Sequence, residues 1–182
     1  ADLFDADGIY IGSSNDMKLG WNLINGEWYY KYGANLLNGK AEIDGKEYCF
    51  ENGIMMKNTA STANLSEYCY GEDGIRLSGT GWRLLDGKWY YLNSKSEYIT
   101  GWAMIGTERY YFLTEEDCFA EKTTDKINYG RLGVMCTGYR VINGRLCYFD
   151  QNGAYRGIRG CENGWYYAKE ENDWYFMKGQ RV

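Results

Sequence analysis

Three segments of the chain superimpose without a gap: GWNLINGEWYY (residues 20–30), GWRLLDGKWYY (81–91) and GWAMIGTERYY (101–111). A recurrence of this kind constrains the fold more than any other feature, because each copy must be one structural unit whose neighbours complete its burial. With the residue after the first glycine as position 0, an aromatic pair falls at +8 and +9, and +7 is Trp28, Trp89 and Arg109. Weaker copies framed on Lys40, Ala60, Tyr139 and Ile158 place Glu47, Glu67, Leu146 and Trp165 at +7. The anchors at 21, 40, 60, 82, 102, 139 and 158 are separated by 19, 20, 22, 20, 37 and 19 residues. The interval of 37 is near two periods, so a degenerate copy is expected between Phe119 and Gly138, with DKINYGRLGVM (125–135) as its remnant.

Within a copy, a short apolar run leads to Asn25-Gly26, Asp44-Gly45, Asp86-Gly87 or Asn143-Gly144, and then to the aromatic run. Asn-Gly and Asp-Gly accept positive φ at both central positions, the requirement of the two-residue type I′ hairpin turn. The flanking β-branched and aromatic residues suit strands. Each copy therefore predicts one hairpin. A second glycine turn, as in Asn52-Gly53 and Asn152-Gly153, links it to the next. A lone hairpin is marginal in water, and stacked hairpins share a core. The expected fold is all-β: one solenoid of stacked hairpin repeats of about 20 residues over 1–182. Little or no helix is expected, and the stretch 113–126 is the one place that allows a short one. An irregular insertion is expected near 113–130, and a capping hairpin near 165–177. This repeat accounts for 24 glycines and for 19 Tyr, 7 Trp and 6 Phe in 182 residues. Most of these rings, those at +8 above all, read as core.

The same composition narrows the chemistry. There is no histidine, which removes imidazole as base or metal ligand. The net charge of −5 lacks the basic stripe that nucleic-acid binding needs. No apolar run approaches the length of a membrane span. The acidic run Glu115-Glu116-Asp117 reads as a solvated face, not as a paired-carboxylate site. No cofactor motif and no metal-ligand spacing appears among the six cysteines, 49, 69, 118, 136, 147 and 161. Cys49, Cys69 and Cys147 stand where core aromatics belong, so buried thiols are expected. An extracellular setting would permit bridges, with Cys118–Cys136 the first candidate. The start at Ala1 without Met reads as a mature fragment or an excised domain.

The pattern GWxxxxGxWYY with its glycine-hydrophobic linking turn resembles the cell-wall-binding, choline-binding repeats of Gram-positive surface proteins. It is also similar to repeats of glucan-binding regions and of clostridial toxins. The resemblance spans essentially the whole chain and is poorest over 112–136. In choline-binding members it implies a site between consecutive hairpins, walled by the Trp at 0, the Trp at +7 and an aromatic of the next repeat. The physics fits: a trimethylammonium cannot donate a hydrogen bond, and each ring face contributes about 0.5–2 kcal/mol. Strand alternation puts +7 and +9 on one face. The third wall is thus expected at the next repeat's +9, giving Trp82, Trp89 and Tyr111 as the complete cage. Degraded sites follow by the same count. Trp21 and Trp28 lose a wall to Cys49 unless Tyr48 turns inward, and Trp102 faces Arg109, a cation where a cation should bind. Trp165 has lost its position-0 partner.

The resemblance implies a non-catalytic extracellular module that anchors a surface or secreted protein to a cell-wall polymer, choline-bearing teichoic acid or a glycan. Two alternatives stand beside it. One is a carbohydrate (glucan)-binding module with open aromatic platforms. The other is a structural spacer or adhesin stalk, to which the +7 residues Glu47, Glu67, Arg109 and Leu146 point. Any catalysis is expected in a partner domain, and no feature bears on the oligomeric state.

Overall fold

The computed structural model describes residues 2–4, 10–61, 67–120, 131–158, 164–168 and 173–177. It is all-β, built from small antiparallel sheets of two or three strands, with a 3-10 turn at Ser14–Asp16 and one short helix, Glu115–Ala120. Five hairpins follow the repeat frame. They pair Gly20–Ile24 with Glu27–Tyr32, Gly39–Ile43 with Lys46–Glu51, Gly81–Leu85 with Lys88–Leu92, Gly101–Ile105 with Glu108–Phe112, and Gly138–Ile142 with Arg145–Phe149. The Ala60 copy is shorter, Thr59–Ser61 against Tyr68–Tyr70. The terminal pair is Gly164–Ala168 with Asp173–Met177. The hairpins are named below by their position-0 residue.

The turn chemistry is as expected. Asn25 and Gly26 have φ of 50° and 81°, and Asn143 and Gly144 have 52° and 73°, so both central positions are left-handed. In the registers of the Trp21 and Trp102 hairpins, position 0 lies directly opposite +9, as in Trp21↔Tyr30 and Trp102↔Tyr111. Positions 0, +7 and +9 therefore share one face, and +8 and +10 share the other.

Residue contacts divide the chain into two units, one of residues 1–81, 85–87 and 92–98, the other of 82–84, 88–91 and 99–182. In the first, Trp21 and Tyr30 pack on Tyr48, Phe50 and Met55 of the Lys40 hairpin and its linking strand. In the second, Trp102 packs on a core of Tyr111, Leu113, Cys136, Cys147 and Phe149. In both, the 0/+9 face of one hairpin meets the +8/+10 face of its successor.

Within each unit, a linking segment binds one hairpin to the one before it. In the first unit, Arg76 N–H donates to Glu47 C=O at 2.8 Å, and Leu77 N–H donates to Cys69 C=O at 2.8 Å. In the second, Met135 N–H donates to Trp89 C=O at 2.8 Å, and Cys136 N–H donates to Tyr111 C=O at 2.8 Å. Both of these linking segments thus tie the +7 carbonyl of the preceding hairpin to the +9 carbonyl of their own, satisfying backbone groups that a sheet edge would leave open.

The same pattern reaches into the 37-residue interval. Gly133-Val134-Met135 is the linking segment of the Trp102 hairpin, held by Gly133 N–H to Leu113 C=O and Leu113 N–H to Val134 C=O. Residues 121–130, and with them most of the expected degenerate copy 125–135, lie outside the described residues. The helix Glu115–Ala120 opens with a capping box: Thr114 N–H and Oγ1 both donate to Asp117 Oδ2 at 2.8 Å, and Asp117 N–H donates to Thr114 Oγ1 at 3.3 Å. The acidic run is thus the first turn of Glu115–Ala120.

Cys49, Cys69, Cys118, Cys136 and Cys147 are buried thiols. The candidate Cys118–Cys136 bridge is not formed, and Cys161 lies outside the described residues.

Candidate functional site

Two grooves have the same construction. In the first unit, the Trp21 and Trp28 rings stand at right angles with centroids 6.0 Å apart, and Tyr48 of the next hairpin closes on Trp21 at 5.0 Å. The groove they line, with Met55 and Asp73, encloses ≈ 410 Å³. In the second unit, Trp82 and Trp89 meet at 6.2 Å and 89°, and Tyr110 closes on Trp82 at 5.0 Å. Met135, Gln151 and Asn152 complete a groove of ≈ 320 Å³. Both volumes lie at the small end of ligand pockets. The position-0 Trp of each groove is held from its own hairpin by Tyr30 or Tyr91, at 5.1 Å and 5.2 Å. The +7 Trp rings remain 36% and 41% exposed, so apolar π faces stay open to solvent in both grooves.

The expected third wall is thereby displaced by one residue. Tyr111 is not in the Trp82 groove. It packs on Trp102 at 5.1 Å, is 6% exposed, and donates its hydroxyl to Asp117 Oδ2 at 2.8 Å. Burial and then this acceptor raise its pKa above the usual phenol value. The physical reason lies in the stacking. Head-to-tail neighbours present opposite faces, so the successor offers +8, which is Tyr110 and Tyr48. Tyr48 turns inward for the same reason, and the Trp21 groove has three rings like the Trp82 groove.

Linking segments shape the grooves. Met55 and Met135 both follow a Gly-x pair and supply a polarizable fourth wall. Each methionine rests on a glycine of the following link. A Cβ on Gly74 would overlap Met55 Sδ, and one on Gly153 would overlap Met135 Sδ. The residues before those glycines, Asp73 and Asn152, reach the groove mouths. Asp73 is fixed by an Asx turn, Ile75 N–H donating to its Oδ1 at 3.0 Å. The Trp21 groove thus carries a carboxylate and the Trp82 groove two neutral amides. Sequence reasoning missed Asp73, Met55, Met135, Gln151 and Asn152. The signal available was the recurring Gly-Ile-Met and Gly-Val-Met of the links.

Asp150 anchors the turn that places Gln151 and Asn152. Burial opposes its charge, but Ala154 N–H, the Arg156 side chain and Asn152 N–H all donate to it, and its pKa is held below the ordinary carboxylate value.

Other grooves are built differently. At Trp102, the +7 side chain is Arg109, whose guanidinium lies over the Trp102 ring at 4.1 Å and 5.8 Å from the Tyr155 centroid. At Lys40, the ring of Tyr68 is covered by Lys40 Nζ at 4.5 Å and by the Arg76 guanidinium at 3.6 Å, and Arg76 is paired with Glu47. Trp165 lies in the strand Gly164–Ala168, and its side chain is outside the described residues. Among the described residues, no group of His, Cys, Asp or Glu is placed to hold a metal ion. No helix is long and apolar enough to cross a membrane.

A family model described as a choline-binding repeat matches residues 79–121, which carry Trp82, Trp89 and Tyr110. The chain is 34% identical over 92 residues to Toxin A of Clostridium novyi, covering 45% of this chain and 4% of the toxin. It is 29% identical over 157 residues to Glucosyltransferase-S of Streptococcus mutans, covering 79% of this chain and 11% of that protein. The chain therefore spans a small fraction of both relatives. Among solved structures it is similar to choline binding protein F of Streptococcus pneumoniae, at 22% identity, TM-score 0.47, 96% of this chain and 56% of that one. CbpJ of the same organism matches at 26% identity, TM-score 0.45, 81% of this chain and 44% of that one.

Proposed function

We propose that the chain is a non-catalytic wall-binding module that takes quaternary ammonium head groups, choline foremost, in the Trp21 and Trp82 grooves. The observation that carries this reading is that the segment matching the choline-binding repeat holds the three rings of the Trp82 groove, and that the Trp21 groove repeats them. Each groove is walled mainly by ring faces, which suits a cation that cannot donate a hydrogen bond. Three rings at about 0.5–2 kcal/mol each make a weak site. Two such sites on one chain raise the effective affinity for a polymer bearing many cholines. The partner is then a choline-bearing wall polymer, teichoic acid or glycan, and the setting the outer surface of a Gram-positive cell. The repeats stack into one solenoid over 1–182, and catalysis, where there is any, belongs to other parts of a longer polypeptide.

A second reading is favoured by one feature. Gln151 and Asn152 bring amides to the mouth of the Trp82 groove, the polar partners a sugar ring stacked on Trp89 would use, and Glucosyltransferase-S is a relative. Intrinsic tryptophan fluorescence followed through a choline titration separates the two. The choline reading expects a saturable change that is reduced in Trp28→Ala and in Trp89→Ala. A flat response at tens of millimolar choline, with a response to dextran instead, would move the assignment to a glucan.

A further inference from the structure

Two grooves that lack an open aromatic cage hold a guanidinium of the protein itself against a ring. At Trp102 it comes from +7, where Arg109 takes the place of Trp28 and Trp89 and lies 4.1 Å over the Trp102 ring. At Lys40 it comes from the linking segment, where Arg76 takes the place of Met55 and Met135 and lies 3.6 Å over the Tyr68 ring. The two arginines start from different backbone positions and different elements, yet each ends on a ring between successive hairpins. In each unit an open groove is followed by one that is filled this way.

The Trp102 groove keeps two rings. Tyr155 stands at the linking position and meets Trp102 at 5.0 Å and 80°, so a second ring is present although the successor's +8 residue is Cys147. Phe149 lies 5.7 Å from Trp102 beneath them. With Tyr155 standing in for the +8 ring, the +7 ring is the one still missing, and Arg109 covers the face it would frame. The Lys40 groove differs. Lys40 and Glu47 replace both tryptophans, and Arg76 is tied to Glu47 and has an Nη2–H directed to Lys95 C=O at 3.4 Å.

We infer that Arg109 is a built-in occupant of the Trp102 groove, a cation that excludes a ligand ammonium from a latent third site and so sets how many ligands the chain takes. Arg76 plays the same part in a groove that has lost its cage altogether. The inference rests on the reading of the open grooves as ammonium sites, but it concerns a different groove and can fail separately.

The test is calorimetric titration of the whole chain with choline chloride, for the wild type, R109W and R76M, with circular dichroism of each to show that it is folded. R109W supplies the missing wall and removes the cation, and it is expected to bind one choline more per chain than the wild type. R76M is expected to add none, since Lys40 still covers Tyr68. A folded R109W with unchanged stoichiometry would overturn the inference, as would a gain in R76M equal to that in R109W. If the wild type binds no choline, the reading of the open grooves falls. One equivalent gained by R109W would then still support the latent site, and none would remove it too. A second measurement does not depend on R109W folding. The Arg109 Nε–Hε resonance, assigned by its loss in R109K, should hold its shift through a choline titration of the wild type. A saturable shift of that resonance would show the ligand displacing the guanidinium and would contradict the proposal.

Discussion

At the scale of single residues, the difference between Tyr110 and Tyr111 decides what the grooves are made of. Adjacent in sequence, they point to opposite faces of one strand, and one walls a groove while the other is pinned beneath Trp102 by Asp117. Tyr110→Ala should therefore weaken choline binding in the Trp82 groove by about 2- to 30-fold, the worth of one ring. Tyr111→Phe should leave that binding unchanged and lower stability by about 1 kcal/mol, the net value of a buried hydrogen bond. Fluorescence titration and denaturant unfolding of the two variants check both. Asp73→Asn removes the one carboxylate at the Trp21 groove. Exposed charge pairs are worth about 0.2–1 kcal/mol, so choline affinity there should fall by no more than about fivefold, and less at high salt. The aromatic walls at 0 and +7 were legible because tryptophan is too rare to recur at a fixed offset by accident. The third wall was not. Periodicity says which residues share a face, and only the stacking direction says which face the neighbour presents.

At the scale of elements, the linking segments do more than connect. Met135 reaches the Trp82 groove because its N–H is tied to Trp89 C=O and its side chain rests on Gly153. Gly153 has φ of 79°, so a side chain there meets both backbone strain and the Met135 sulfur. Gly153→Ala is expected to destabilise the chain by at least about 1 kcal/mol, and to weaken binding at the Trp82 groove more than at the Trp21 groove. Gly144, in a hairpin turn with open space around it, serves as the control for strain alone. The same link carries a pH dependence. Asp150 has a folded pKa below its unfolded value of about 3.9, so its contribution is full above that pH and is lost as acid brings the pH down through the folded value. The melting temperature of the wild type should fall more steeply below about pH 4 than that of Asp150→Asn. Hairpins were readable from Asn-Gly and Asp-Gly pairs. For the 37-residue interval, spacing alone cannot tell a lost hairpin from an inserted loop. Leu113 and Gly133, which hydrogen-bond to each other from its two sides, carry no mark of that pairing in their own residue types.

At the scale of the whole molecule, repetition explains the composition and also sets its limits. Each copy brings two glycine turns and a group of rings, and most rings are consumed where one hairpin seals the next. Among the described residues, the two grooves that keep Trp at both 0 and +7 hold their +7 rings open, and in each unit a self-filled groove follows. A chain built this way gains avidity by counting weak sites, so changing one groove should alter polymer retention more than it alters stability. Trp28→Ala with Trp89→Ala should abolish retention on a choline-derivatised matrix while the melting temperature shifts by only a few degrees, about what 1 kcal/mol produces in a chain of this size. The account turns on where a quaternary ammonium sits. A crystal structure of the chain grown in choline measures that directly. The prediction is a quaternary nitrogen within about 6 Å of the ring centroids of Trp21, Trp28 and Tyr48, and another so placed between Trp82, Trp89 and Tyr110, with Arg109 still on Trp102. Choline bound against Trp102 with Arg109 displaced, or both aromatic grooves empty at a saturating concentration, would contradict it.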